Sequence, residues 1–320
     1  MHVPERVVTN DDLKAYYDTS DEWISSRSGI KKRHWVNWDD DIGTSDLALK
    51  ATEKALENAD LPKEDIDLIV FATLSPDAFF PGAGCYLQDK MGLETTPALD
   101  IRMQCSGFIY AISIAEQYIR TGMYKNILVV GAEVHSTGID LAPEGRTVGV
   151  LFGDGAGAVV VQAREDTDRG VQSTHLYTEG KNYDKLWNPE PTSNRRPRIT
   201  PEGKGLYPIM EGREVFTNAV RRMSEVVAEA CKINQWPIES IDLLVPHQAN
   251  LRISAKVGEV LGLPMEKVFS NIHDYGNTTA ATIPICLAEA NAQGRLKPGD
   301  RVMLVAFGSG FTWGAATVVW

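Results

Sequence analysis

Asp65-Ile66-Asp67-Leu68-Ile69-Val70 and Ser240-Ile241-Asp242-Leu243-Leu244-Val245 are one phrase written twice in a chain of 320 residues. In each, a compact apolar run follows an acidic residue, and the first run, 66–71, lies between Pro62 and Pro76 as a buried strand does. Helical periodicity precedes both phrases, at 45–58 and in a long amphipathic stretch at 211–234. Further along the first half, 126–130 reads as a strand ending in Gly131, and the turn Gly153-Asp154-Gly155-Ala156-Gly157 leads into a strand at 156–161. The end of the chain repeats this with strands at 301–307 and 315–319 around Gly308-Ser309-Gly310.

Helix, strand, second helix, short strand, third helix and two closing strands thus occur twice in order. The chain reads as an internal duplication, 1–165 and 166–320. Apolar strands alternating with longer helices give an α/β fold in which helices cover buried sheets and two halves share one helical layer. The stretch 177–207 breaks the pattern. It contains Pro189, Pro191, Pro197 and Pro201, with Pro208 at its edge and Arg195, Arg196 and Arg198 clustered, and reads as a surface excursion, either a solvated insertion or a lid or partner contact.

A hydrophobic content of 43% and a charged content of 23% describe an ordinary globular protein. Lys and Arg number 32 against 43 Asp and Glu, and the net charge of -11 argues against general binding to nucleic acid or an anionic membrane. No apolar run approaches the roughly 20 residues that span a bilayer. Met1-His2-Val3-Pro4 opens no signal-like segment, so a cytoplasmic location is expected.

Cys85, Cys105, Cys231 and Cys286 lack any CxxC-type spacing, so neither a disulfide framework nor a zinc site is suggested. Cys231 and Cys286 fall inside apolar helical patterns and read as inert core. Cys105 follows the strand-like Ala98-Leu99-Asp100-Ile101 and precedes a helical segment at 107–120. A helix start offers unpaired N–H groups and the positive end of the dipole, which lower the cost of a thiolate. Cys85 stays open on the same grounds, because Pro81-Gly82-Ala83-Gly84 also suits a helix start.

His247 follows the 241–245 strand and Pro246, a strand-end position where alternating folds place ligand-binding and catalytic groups. Asn277, in Tyr275-Gly276-Asn277-Thr278-Thr279, follows a short strand expected at 268–271. In the duplicated plan its turn corresponds to the region of Cys105; it equally suits an N-cap. His273 competes with His247, although it precedes Asp274-Tyr275 in a loop. No two-histidine motif supports a metal centre.

Together these segments resemble the thiolase-like condensing enzymes, specifically β-ketoacyl-acyl carrier protein synthase III, over nearly the whole chain. The resemblance rests on Asp18-Thr19-Ser20-Asp21-Glu22-Trp23-Ile24, Gln104-Cys105-Ser106-Gly107-Phe108, Phe152-Gly153-Asp154-Gly155-Ala156-Gly157-Ala158 and Pro246-His247-Gln248-Ala249-Asn250-Leu251-Arg252. Tyr275-Gly276-Asn277-Thr278 and Phe307-Gly308-Ser309-Gly310-Phe311-Thr312-Trp313-Gly314 complete it. It implies a duplicated thiolase-like fold layered α-β-α-β-α.

The resemblance also implies a reaction. Cys105 takes the acyl group of an acyl-CoA; a malonyl thioester on acyl carrier protein then loses carbon dioxide and attacks the acyl carbonyl. His247 and Asn277 hydrogen-bond the malonyl thioester oxygen, and the backbone N–H groups of Cys105 and Ser309 form the oxyanion hole. Position 309 departs from the family, whose loop has three consecutive glycines. Trp23, Arg27, Arg146 and Asn250 are the implied CoA and pantetheine contacts. Arg213, Arg221, Arg222, Arg252 and Lys256 are the implied landing patch for acidic acyl carrier protein.

Phe80, beside Phe79, is the implied aromatic wall of the acyl pocket across a homodimer. Met103 and Gln104 replace the small residues usual before the nucleophile. No tightly bound cofactor is implied, since acyl-CoA is a substrate. The family normally opens with a strand before the equivalent of Met1, so a vacant central position in the first sheet is expected, filled either by another segment or by a strand-length extension. Two other readings remain: an acyltransferase of this fold serving an oxygen or nitrogen acceptor, and a noncatalytic acyl-CoA-binding subunit.

Overall fold

The computed structural model describes residues 1–165, 168–189 and 207–320. The first half runs β1 (Val7–Thr9), α1 (Asp21–Ser28), β2 (Lys32–His34), α2 (Thr44–Ala59), β3 (Leu68–Ala72), α3 (Ala83–Lys90) and β4 (Ala98–Ile101). It continues through α4 (Gly107–Arg120), β5 (Asn126–Glu133), α5 (Arg146–Gly149) and β6 (Gly155–Gln162). The second half holds β7 (Gly170–Thr178), β8 (Leu186–Trp187), β9 (Ile209–Met210), α6 (Gly212–Ile233), β10 (Leu243–Pro246) and α7 (Leu251–Leu261). It closes with α8 (Ile272–Tyr275), α9 (Thr282–Ala292), β11 (Arg301–Gly308) and β12 (Thr312–Val319).

Two four-stranded sheets result, in the orders β4-β3-β5-β6 and β10-β11-β12-β7. Strand alternation between two covered faces explains why the strand portions of both doubled phrases, 68–70 and 243–245, are apolar at every position. Leu68, Val70 and Ala72 of β3 and Leu243 and Val245 of β10 point into a shared middle layer with Phe108, Ile112, Ile283 and Leu287 of α4 and α9. Ile69 and Phe71 face α2 and α3 on one outside, while Leu244, Met303 and Val305 face α6 and α7 on the other. This is the five-layer α-β-α-β-α arrangement expected from the sequence. Each fully buried large aliphatic or aromatic side chain in it contributes roughly 1.5–3 kcal/mol.

Three expectations need correction. The strand anticipated at 268–271 is a single bridge, Val268 to Leu244, because the chain turns at once into α8. Strand β7 had no counterpart in the reading; its alternating polar residues suit a strand at the sheet edge, paired only with β12. Nor is there a vacant centre in the first sheet, since β3 and β5 pair directly from Leu68↔Ile127 to Ala72↔Gly131. The unmatched position is the outer edge of β6, where the second half has β7. Among the described residues this edge carries one bridge, His2 to Ala156. Beside it runs an open cleft of about 930 Å³, lined in part by Ile112, Val159, Val161 and Trp320. Pro191, Pro197, Pro201, Arg195, Arg196 and Arg198 of the excursion lie outside the described residues.

The two halves meet without slack. A Cβ added at Gly131 would stand 2.3 Å from the Ala280 carbonyl oxygen, a backbone atom that cannot swing aside. Gly131→Ala is therefore expected to lower the unfolding free energy by about 3 kcal/mol. Gly180→Ala, where nothing lies within 4 Å, should change it by less than about 0.5 kcal/mol. Urea denaturation of the two variants checks the contrast, and equal losses would contradict it.

Candidate active site

Parallel pairing with β3 carries β4 to the layer between the sheets, where the chain makes a 3-10 turn at Gln104–Ser106 and enters α4. Gln104 sits at φ 45°, a left-handed conformation that costs a non-glycine residue about 1–3 kcal/mol. This strain lies immediately before Cys105. The turn is tied to the end of the chain: Ser106 Oγ donates to the Thr312 carbonyl at 3.1 Å. A Cβ on Gly308 would stand 2.9 Å from that of Cys105.

The backbone N–H groups of Cys105 itself and of Ser309 favour the Cys105 thiolate. Burial, with a smaller push from the Glu133 carboxylate, outweighs them and raises the thiol to about 12. The expected advantage of the helix start is present, but it does not by itself produce a resting thiolate. Among the other cysteines, Cys231 and Cys286 are buried and Cys85 is exposed in the first turn of α3.

His247 and Asn277 arrive from the second half. His247 leaves the end of β10 with its backbone N–H on the Val305 carbonyl at 2.8 Å. Its Nδ1 lies 2.7 Å from Thr282 Oγ1, so Nε2 is the free end of the ring, buried and without a partner. For Nε2 to hold the proton, Thr282 must donate to Nδ1. The Thr279 carbonyl, also 3.0 Å from that hydroxyl, keeps the Thr282 backbone N–H. Asn277 Oδ1 accepts from the Thr279 N–H at 2.9 Å, which orients the amide with its NH2 as the donor end. Thr279 has φ 47°, the second strained non-glycine residue of the site. His273, the competing histidine, is exposed on α8 beside Asp274.

Two buried groups escaped the reading of the sequence. Glu133, at the end of β5, accepts from Thr73 Oγ1 at 3.0 Å, from Ser75 Oγ at 2.6 Å and from the backbone N–H groups of Leu74 and Ser75. It also accepts from the Ala280 N–H at 3.4 Å, bridging the halves. Burial pushes its carboxyl up to about 7. His135 Nε2 lies 2.7 Å from Thr279 Oγ1, and burial pushes this histidine down to about 3. An acid closing an apolar strand was the available signal for Glu133.

Comparisons with known proteins place the whole chain in one family. Models of 3-oxoacyl-[acyl-carrier-protein (ACP)] synthase III match residues 99–180 and, for its C-terminal part, 231–320. The β-ketoacyl-[acyl-carrier-protein] synthase III of Xanthomonas euvesicatoria pv. vesicatoria is 45% identical over 315 residues, 98% of this chain and 94% of that protein. That of Clostridioides difficile is 44% identical over 320 residues, 100% of this chain and 96% of that protein. The chain belongs to the 3-oxoacyl-[acyl-carrier-protein] synthase III family. The crystal structure of the Aquifex aeolicus synthase III superposes with a TM-score of 0.90 at 42% identity, covering 100% of this chain and 97% of that one.

Outside its centre, this synthase III family member groups some of the expected residues and commits others. Trp23 lies between two guanidinium groups, with Arg27 and Arg146 each 4.6 Å from its ring centroid. Arg146 also donates to the Asp18 carbonyl at 2.7 Å. Asn250 is occupied at both ends of its amide: Oδ1 caps α7 by accepting from the Arg252 N–H, and Nδ2 donates to the Arg27 carbonyl at 2.8 Å.

Arg213, Arg221, Arg252 and Lys256 are exposed on the adjacent helices α6 and α7. Lys256 is paired with Glu259 at 2.6 Å, and half-buried Arg222 is bound to Glu179 and Glu225, both at 3.1 Å, and lies over Trp313. Phe80 is 80% exposed and Phe79 66%. The large cleft beside β6 is lined by none of Cys105, His247 and Asn277. Among the described residues no group of three or more His, Cys, Asp or Glu could hold a metal ion, and no helix is long and apolar enough to cross a membrane.

The buried titrations fix a pH response. His247, like His135, is pushed down to about 3 by burial. Between that value and the ordinary 6.5, the unfolded chain binds protons that the folded protein refuses, so their contribution is whole above 6.5 and declines as pH falls. Glu133 has the opposite sign: its contribution is whole below the ordinary 4.5 and declines as pH rises through about 7. His135→Gln is expected to flatten the acid-side decline of the urea midpoint between pH 6.5 and 4.5. An unchanged slope would show that His135 titrates alike in both states.

Proposed function

We propose that this protein joins an acyl group to a malonyl-derived unit by decarboxylative Claisen condensation. The observation that supports it best is the unpartnered, buried Nε2 of His247 together with the two backbone N–H groups on Cys105, donors arranged for oxygen charge that no resting group supplies. Cys105 attacks the thioester carbonyl of an acyl-CoA. The Cys105 and Ser309 N–H groups hold the oxyanion, CoA leaves as its thiol with the cysteine proton, and the acyl group stays on sulfur. A malonyl thioester carried by acyl carrier protein then loses carbon dioxide. His247 Nε2–H and the Asn277 NH2 stabilise the enolate, whose carbon attacks the acyl-cysteine. Collapse of the second tetrahedral intermediate returns the sulfur and releases the β-ketoacyl product.

Trp23, Arg27 and Arg146 form the candidate surface for the CoA nucleotide, with Asn250 supporting it through Arg27. Arg213, Arg221, Arg252 and Lys256 form the candidate carrier-protein patch. A homodimer through the nucleophile-bearing half is favoured by three neighbouring features: the outer edge of β4, exposed Leu99, and exposed Phe79 and Phe80. In that pairing Phe80 closes a partner's acyl pocket. Residues 1–165 and 166–320 are taken as the two duplicated halves.

Intact-mass analysis with an acyl-CoA series, followed by malonyl-acyl carrier protein, tests the cycle. Cys105→Ala should give no adduct. His247→Ala and Asn277→Ala should still acylate and chase about 10²–10³-fold more slowly. An adduct that passes only to an alcohol or amine would select the other acyltransferase reading, and none with any donor would select a binding role. Arg252→Glu should weaken use of the carrier protein more than self-acylation; equal loss of both would remove it from the patch.

A further inference from the structure

Every polar atom of Ser309 is engaged in a different direction. Its N–H belongs to the peptide after Gly308, whose Cα packs against Cys105, and it favours the Cys105 thiolate. Its carbonyl accepts from Thr312 Oγ1 at 3.0 Å. Its hydroxyl turns away from the nucleophile and donates to the carbonyl of Leu186 in β8. Leu186 is in turn held against Met210 of β9, and the hairpin is closed by the Glu211 N–H on the Lys185 carbonyl at 2.8 Å and by a Lys185–Glu211 ion pair at 3.0 Å.

The other flank of the same loop is fixed independently. Phe311 exchanges two backbone hydrogen bonds with Glu179, at 2.8 and 3.1 Å, just beyond the end of β7. Ser309 is therefore the second anchor of a short loop between two strands, and its side chain decides which way its own N–H points. A hydrogen-bond donor stabilises developing charge only if it is aimed before the charge appears. Without the hydroxyl, the loop at position 309 keeps the Gly308–Thr312 pairing and the Thr312 contact but loses its tie to β8.

We propose that Ser309 is a positioning residue, whose hydroxyl fastens the loop to the β8–β9 hairpin and so aims its backbone N–H at the sulfur and acyl oxygen of Cys105. This rests on the reading of Cys105 as the acyl acceptor. It assigns to the serine side chain a task separate from the oxyanion contact of its backbone, and makes the hairpin part of the nucleophile's support.

Ser309→Gly and Ser309→Ala remove the hydroxyl, and Ser309→Thr keeps it. In the full chain carrying Cys85→Ser, to silence the exposed thiol, two quantities are compared: the time course of Cys105 alkylation by iodoacetamide at one fixed pH, and single-turnover acylation by acyl-CoA. The other titratable groups packed around the turn, Glu133 on β5, His135 after it and His247 after β10, are the same in all four proteins. Glycine and alanine should slow Cys105 alkylation at that pH about tenfold and slow maximal acylation about tenfold, leaving half-saturation by acyl-CoA within about twofold. Threonine should restore both.

Glycine and alanine profiles that overlay the parent overturn the assignment. So does a threonine variant that melts with the parent yet reacts like alanine. Because alkylation needs only a reactive thiol, a parent protein that alkylates but forms no acyl adduct would count against the reading of Cys105 and leave the Ser309 comparison legible.

Discussion

Gly131 of β5 lies so close to the Ala280 carbonyl that no side chain fits between them, and Glu133, two residues on, accepts from the Ala280 N–H. Most of the site follows from this contact. It presses the 3-10 turn at Thr279–Ala281 against the one at Gln104–Ser106, so that α4 and α9 start side by side between the sheets. Each turn has a non-glycine residue in the left-handed region, Gln104 in one and Thr279 in the other. Such strain persists only where the surroundings over-determine it. Here the surroundings are a doubly covered helical layer with no room to relax.

That same layer sets the electrostatics. Burial raises Cys105 and Glu133 and lowers His247 and His135, so each group is driven toward its uncharged form. A resting thiolate–imidazolium pair is disfavoured from both sides. In the proposed cycle the fold supplies neutral dipoles in its place: the N–H groups of Cys105 and Ser309, and His247 Nε2 when Thr282 donates to Nδ1. Neutral, pre-aimed donors suit a reaction whose charge appears only transiently, on an acyl oxygen and then on an enolate. A permanently charged site would bind its solvent as firmly as its transition states.

The parts legible from sequence are those enforced by burial on two sides. Within the doubled phrases, 68–70 and 243–245 had to be apolar because those strands are covered on both faces, and α4 was legible from its buried apolar face. Strand β7 was illegible because an edge strand tolerates Gln172, Ser173 and Thr174 in sequence. Glu133 hid for a different reason: its one local signal, an acid closing an apolar strand, says nothing of its partners Thr73, Ser75 and Ala280, which come from distant segments. Arg222 misled in the converse way. It carries charge on a helix near other arginines, yet Glu179 and Glu225 occupy it.

Duplication explains why the chemistry divides as it does. A repeated strand–turn–helix unit delivers a helix start to the same place twice, and each copy can specialise because the other keeps the shared layer filled. One copy carries the thiol at the middle of its turn. In the equivalent place the other carries Ala280, whose backbone takes Glu133, while its neighbours Asn277 and Thr282 handle the amide donor and the histidine. In the proposed cycle neither turn is a site by itself, since Cys105 lies in one half and His247 and Asn277 in the other. Folding of the halves onto each other and assembly of the reacting groups are consequently one event, and the tolerance for error at that seam is the tolerance of Gly131 for a methyl group.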